Sequence, residues 1–222
     1  MTAVTSAPID QRSASSATAR LAQVGRLFAT VARSPAEIRF APRYVSSRGH
    51  DPLQLRLPWL PYSVIEALTP RVAGASVFEY GGGGSTLWIG ARAAQVTTVE
   101  HDQQWYGALT RATTDLANVT ILLRTLEARD GMSYVSTIDE YDDRGFDIVL
   151  VDGRQRMECV RRAMSKVTPG GLLVLDDSDR PKYGAARTIL AGWSAREYFG
   201  LVPCKDRPGT TTIFTRPAAA PR

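Results

Sequence analysis

The sequence predicts an α/β fold: one domain with a mostly parallel, seven-stranded sheet, helices on both faces, and an antiparallel strand pair at the C-terminal end. Three observations carry this. Five short β-branched or apolar runs alternate with helix-spaced segments, the pattern of a parallel sheet wound through crossover helices. Two of those runs, "DIVLV" and "LLVL", are apolar without interruption, as strands buried on both faces are. The last two runs are separated only by the turn "KDRPG", too short for a crossover, so they pair antiparallel.

The elements follow in order. Leu21, Val24, Leu27, Phe28 and Val31 are at helical spacing, predicting a helix over Leu21–Arg33. A proline-punctuated stretch, "SPAEIRFAPRYVSSRGHDPLQLRLPWLP", has no regular period, and a short helix follows Pro61. "ASVFEY" (75–80) is the first strand, and its helix runs from Ser85 to Ala94. "QVTTVE" (95–100) leads to a helix capped by Asp102 and ending near Leu116. "VTILL" (119–123) precedes a helix from Met132 to Glu140, and "FDIVLVD" (146–152) one from Arg156 to Lys166. "GLLVLDD" (171–177) precedes a helix from Tyr183 to Ser194, and the closing strands lie near Tyr198–Pro203 and Thr211–Thr215.

With 222 residues, 44% hydrophobic and 22% charged, the chain has the size and balance of one soluble domain with a sizeable core. No apolar run approaches the roughly 20 residues of a membrane helix. Residues 1–20, rich in Ala, Ser and Thr and lacking the order of a secretory signal, are expected to be a disordered tail. Residues 21–70 form an N-terminal helical or lid segment, and residues 71–216 the main domain. Cys159 and Cys204 lack metal-type spacing and are expected to be reduced thiols in a cytoplasmic protein. The net charge of +5 invites an anionic partner, but all the basic residues except Lys166, Lys182 and Lys205 are arginines scattered along the chain. The expected partner is therefore a small molecule, with no nucleic acid and no membrane; a homodimer stays open.

The stretch "VFEYGGGGSTLW" carries the functional signal. A strand precedes the four glycines Gly81–Gly84 and a helix follows, so this is no linker. Glycines at the carboxyl end of a parallel strand let the backbone approach a ligand, and the helix start offers free N–H groups. Glu100, ending the next strand about 20 residues on, is placed to accept from ribose hydroxyls. Thr86 stands where a dinucleotide fingerprint needs its third glycine, and no Gly-Lys-Ser/Thr follows to make a Walker loop. Glu79, just before the turn, would repel a pyrophosphate but suits an ammonium. Ribose, adenine and ammonium together point to S-adenosylmethionine.

"FEYGGGGST", "VEHD", "FDIVLVDG" and "TPGGLLVLDD", in this order and spacing, resemble class I S-adenosylmethionine-dependent methyltransferases over roughly residues 60–216. The resemblance implies a single Rossmann-like domain. It also implies that Glu79, Tyr80, Gly81, Gly82 and Gly83 surround the methionine part, with Ser85 and Thr86 capping the helix beside it. Glu100 would take the ribose, His101 and Glu127 would lie near the adenine, and Asp152 beside the methyl donor.

Asp152, Asp176 and Asp177 end neighbouring strands, an arrangement similar to metal-dependent O-methyltransferases in which such a trio holds Mg²⁺. A bound Mg²⁺ would lower the pKa of the acceptor hydroxyl and orient it. Asp152 and Asp176 are thus candidate catalytic residues, with His50 of the lid segment as a further acid/base candidate. Trp59, Tyr62 and Trp88 are candidates to line the acceptor pocket. Those relatives often carry an acid or lysine just after the fourth strand; here Arg154, Gln155 and Arg156 stand there, and arginine is a poor base. Arg154, Arg156, Asp179, Arg180 and Tyr183 are expected substrate contacts. The resemblance leans toward a small-molecule O-methyltransferase acting on a sugar or glycoside, of the methylated-polysaccharide or antibiotic type. Two rivals stand beside it: an aminopropyltransferase of spermidine-synthase type, whose loop aspartate and later acidic motif are missing here, and a non-catalytic adenosyl- or NAD-binding module.

Overall fold

The computed structural model describes residues 24–127 and 133–218. The expected disordered tail of residues 1–20 and the helix start at Met132 lie outside them.

Seven strands form one sheet: β1 (Ser76–Tyr80), β2 (Gln95–Glu100), β3 (Val119–Leu123), β4 (Phe146–Val151), β5 (Val167–Asp176), β6 (Ser194–Gly200) and β7 (Gly209–Thr215). Their order is β3-β2-β1-β4-β5-β7-β6. The first five are parallel to their neighbours; β7 runs antiparallel to both β5 and β6. The predicted mostly parallel sheet with a closing antiparallel pair is therefore the observed one, with β7 inserted between β5 and β6. Strand order reverses at β1, because β2 lies on one side of it and β4 on the other. The carboxyl ends of β1 and β4 consequently border a switch-point crevice.

Helix α1 covers 24–33 of the described chain. The proline-punctuated stretch, for which no regular element was expected, makes a 3₁₀ turn (Pro35–Phe40) and the short helices α2 (Ala41–Ser47) and α3 (Pro52–Leu55). Prolines in the first turn of each explain why no long period was visible: each element stops after one or two turns. Then come α4 (Tyr62–Val72), α5 (Gly84–Gly90), α6 (Gln103–Ala112), α7 (Arg156–Lys166) and α8 (Ala186–Ile189). Helices α5 and α6 are shorter than the sequence predicts. The helix expected over Tyr183–Ser194 is a 3₁₀ turn (Pro181–Tyr183) plus the single turn of α8, and β6 begins at Ser194, earlier than expected. The helix expected before Glu140 is a 3₁₀ turn over Ser136–Glu140.

Two apolar layers sandwich the sheet. One packs Phe78, Tyr80, Val149, Val151, Leu173 and Leu175 against α7 residues Cys159, Val160 and Ala163. The other packs Val77, Ile148, Leu150 and Val174 against α4 and α5 through Val64, Leu68, Trp88 and Ile89. Alternate residues of β4 thus face opposite layers, as the uninterrupted apolar run requires. Trp88 belongs to this core, and Tyr62 packs with Phe40, Tyr44 and Leu201, so neither lines a pocket. No helix among the described residues is long and apolar enough to cross a membrane.

Candidate active site

A cavity of about 560 Å³ opens at the carboxyl ends of β1, β2, β4 and β5, a size typical of small-molecule sites. Its floor is backbone. Gly81 adopts φ +85°, and a Cβ there would lie 2.6 Å from Gly153 Cα, so only glycine allows the β1 and β4 loops to touch. The Gly81 N–H donates to Val99 O, and Asp152 N–H donates to Tyr80 O, tying the loops to neighbouring strands. A Cβ on Gly83 would meet only Trp105, at 4.0 Å, so this backbone is bare toward the cavity.

Glu100 lines the cavity at the end of β2 and holds the loop in shape. Its Oε1 accepts from the His101 and Asp102 N–H groups at 2.7 and 2.9 Å, and its Oε2 accepts from Gly82 N–H at 3.2 Å. A carboxylate offers about four acceptor positions, so Oε2 retains capacity for a ligand hydroxyl. His101 Nδ1 lies 2.8 Å from Glu100 Oε1, and its ring meets Tyr134 edge-on. The Trp105 Nε1–H donates to Gly82 O at 2.7 Å and sets an indole beside the glycines. Asp102 caps α6 as expected, accepting from the N–H groups of Gln104 and Trp105.

Glu79, Tyr80 and Thr86 are corrected from ligand contacts to supports: none lines the cavity, and each is fully buried. Glu79 Oε2 accepts from the hydroxyls of Thr86 (2.5 Å) and Thr98 (2.8 Å), and Thr86 Oγ1 in turn accepts from Gly83 N–H. The acid thus stands behind the loop and orders it through a threonine relay. Burial raises its carboxyl to about 7, and its Oε1 has no hydrogen-bond partner among the described residues. The Tyr80 hydroxyl donates to Val135 O inside the core. Ser85, Gly81, Gly82 and Gly83 do line the cavity.

On the far side the side chains of β4 and β5 converge. Asp152, Asp176 and Asp177 come together as their positions predict, but around Arg156. This guanidinium, almost wholly buried at the start of α7, donates from Nη2 to Asp152 Oδ1 (2.8 Å) and from Nη1 to Asp176 O. It lies 3.7 Å from Asp176 Oδ2 and 3.4 Å from Asp177 Oδ2. Asp176 Oδ1 accepts from Thr211 of β7 at 2.7 Å, and Asp177 Oδ2 pairs with Arg180 at 2.7 Å. The expected Mg²⁺ trio is corrected accordingly. The carboxylates already have cationic and hydroxyl partners, and among the described residues no group of three His, Cys, Asp or Glu side chains is arranged to hold a metal ion. The donor set does not fit Mg²⁺. Burial, then the charge of Asp176, pushes the Asp152 carboxyl well above the usual range, against the pull of Arg156. Gln155 and Asp177 both adopt left-handed φ, +48° and +51°, which costs a side-chain-bearing residue roughly 1–2 kcal/mol. Those turns bracket the arginine.

Arg154, Arg180 and Tyr183 line the cavity; Asp179 does not and is exposed. His50 is corrected as well: it is exposed, off the cavity, with Nδ1 3.1 Å from Arg48 O. Glu127 is also exposed and away from the cavity. From the N-terminal segment Pro52 and Trp59 reach the cavity instead, and the carbonyl of Leu57 lies where a Cβ on Gly84 would fall. Sequence reasoning missed Trp105, Lys182, Lys205 and Arg207. Trp105 is three residues past the Asp102 cap, where a first-turn side chain faces the loop, and that offset was a usable signal. Lys205 and Arg207 come from the β6–β7 turn, and only knowledge that β7 lies beside β5 brings them near.

No family model matches the chain, and no curated protein matches it in sequence. Solved structures match its fold. The N-methyltransferase NodS from Bradyrhizobium japonicum has a TM-score of 0.51 at 13% identity, covering 70% of this chain and 94% of that one. An rRNA methylase from Streptococcus thermophilus has a TM-score of 0.53 at 12% identity, over 69% and 95% of the two chains. A SAM-dependent O-methyltransferase from Thermotoga maritima has 0.51 at 13% identity, over 72% and 66%. The protein has the fold of class I methyltransferases, and at these identities the likeness is one of fold.

Proposed function

We propose that the protein is an S-adenosylmethionine-dependent O-methyltransferase acting on a hydroxyl of a small polyhydroxylated molecule of sugar or glycoside type. One observation carries the reading: the bare glycine loop with Glu100 and the partly exposed Asp152 share a single cavity at the strand-order switch. Glu100 Oε2 would accept from a ribose hydroxyl, Trp105 and His101 would flank the adenine, and the loop backbone would lie along the methionine part. When bound, the cofactor supplies an electrophilic methyl group on a sulfonium, released to the acceptor oxygen as the S–C bond breaks. The chain's own residues align the acceptor and take its proton. Arg156 holds Asp152 through Oδ1 and leaves Oδ2 as the base. The raised Asp152 carboxyl is a stronger base than an ordinary one. Because Arg156 fills the place between the carboxylates, Asp152 rather than a metal-bound hydroxyl receives the proton.

The test is methyl transfer from radiolabelled cofactor to a panel of glycosides, amines and RNA. Label on oxygen, lost in Asp152→Asn while adenosylhomocysteine still binds, supports the reading. Label only on nitrogen or RNA, or absence of adenosylhomocysteine binding, overturns it.

A further inference from the structure

The acceptor side of the cavity carries more positive charge than its own carboxylates absorb. Asp152, Asp176 and Asp177 are paired with Arg156, and Asp177 also with Arg180. Four further cations, Arg154, Lys182, Lys205 and Arg207, line the same cavity, and none has a carboxylate within ion-pair distance among the described residues. They come from three separate loops: after β4, after β5, and between β6 and β7. A planar carboxylate is satisfied by one guanidinium fork, whereas a tetrahedral dianion calls for donors from several directions. Lys205 is further held in place: it donates to Trp59 O at 3.3 Å and stands 5.0 Å from that indole. Trp59 is 44% exposed at the mouth and offers an apolar face beside the cations.

We infer that the acceptor carries a phosphate group: a phosphorylated polyhydroxylated molecule, whose phosphate is bound by Arg154, Lys182, Lys205 and Arg207 while a hydroxyl is presented to Asp152. The inference rests on the proposed reading for the position of the hydroxyl, but the anion site stands on the cations themselves. Both a sugar monophosphate and a nucleoside-diphosphate-linked sugar have the required chemistry; the diphosphate brings a base that Trp59 can stack. A long nucleic acid is disfavoured because the four cations line one cavity, with no stripe continuing across the sheet or helices.

The experiment is calorimetry on the full chain, with and without saturating adenosylhomocysteine, using inorganic pyrophosphate, mannose 1-phosphate, a nucleoside diphosphate mannose and mannose as probes. Phosphorylated probes should bind and mannose should not. The double variant Lys182→Gln/Arg207→Gln should weaken pyrophosphate roughly tenfold or more, since each charge-assisted contact is worth at least that factor. It should also flatten the salt dependence of binding, while changing adenosylhomocysteine affinity less than about twofold. Tighter binding of the nucleotide sugar, lost in Trp59→Ala, identifies the diphosphate form; equal binding identifies the monophosphate. Pyrophosphate affinity that is unchanged in the double variant, or mannose binding as well as its phosphate, overturns the inference. So does competition by structured RNA where pyrophosphate fails. If pyrophosphate binds but adenosylhomocysteine does not, the anion site survives and the cofactor reading falls.

Discussion

The two halves of the cavity are built by different means. Toward β1 and β2 the contacts are made by backbone: Gly81, Gly82 and Gly83 each donate an N–H to a fixed acceptor, and Glu100 and Thr86 exist to hold that shape. Toward β4 and β5 they are made by side chains, with Arg156 at the centre of three aspartates. A backbone cradle constrains residue type at every position, because only glycine lets two loops touch. A side-chain cluster constrains only total charge and reach, so a guanidinium can stand where another cation would serve.

The contrast is open to direct attack. The largest effect belongs to Arg156→Ala, which leaves buried carboxylates without their cation and should cost about 3–5 kcal/mol in chemical denaturation. The same variant should gain thermal stability from Mg²⁺, whereas the parent's melting point should not respond; a parent that is stabilised by Mg²⁺ breaks the assignment of Arg156 as the resident cation. Next is Glu79→Gln. The folded protein keeps the Glu79 proton between pH 4.5 and about 7, where the unfolded chain releases it. This contribution to stability therefore falls as pH rises through that window and is level above it. The variant's advantage over the parent should grow across the same window and reach roughly 3 kcal/mol above pH 7. A pH-independent difference would show that Glu79 is ionised in the fold.

Glu100→Ala should weaken adenosylhomocysteine binding by roughly 2 kcal/mol, about thirtyfold, by loss of a charged acceptor and of the loop anchor. Gly83→Ala separates ligand space from protein strain: its Cβ has room in the fold, so melting should hold while affinity drops about tenfold. His50→Ala is the smallest, within about 0.5 kcal/mol in stability and without effect on turnover, as expected of an exposed residue off the cavity.

The same contrast governs what was legible beforehand. The strands, the switch-point loop, Glu100 and the Asp102 cap could all be read, because strand periodicity, glycine geometry and capping leave local marks. Glu79 was misread because an acid beside a ligand loop and an acid behind it have the same sequence position; only burial separates them. The aspartates were placed at the right strand ends, yet Arg156 as their shared partner was not foreseen, since its reach back across β5 depends on the left-handed turn at Gln155. His50 and Glu127 failed for a plainer reason: neither lies on an element that points at the crevice. Lys205 and Arg207 depend on β7 lying beside β5, a pairing with no local signature.

The inserted strand also bears on how the molecule comes into being. Translation delivers β5 well before β7, yet β7 is the strand that pairs along it, with Asp176 opposite Thr211. Until that late segment leaves the ribosome, β5 is an open edge of an apolar sheet, and the Asp176 carboxylate lacks its hydroxyl partner. The nascent chain therefore carries an adhesive border that only its own last strand closes. Ribosome-stalled chains ending before Gly209 should bind chaperone and lack the finished cavity. Chains carried past Thr215 should release it, so catalytic competence arrives abruptly with the final strand.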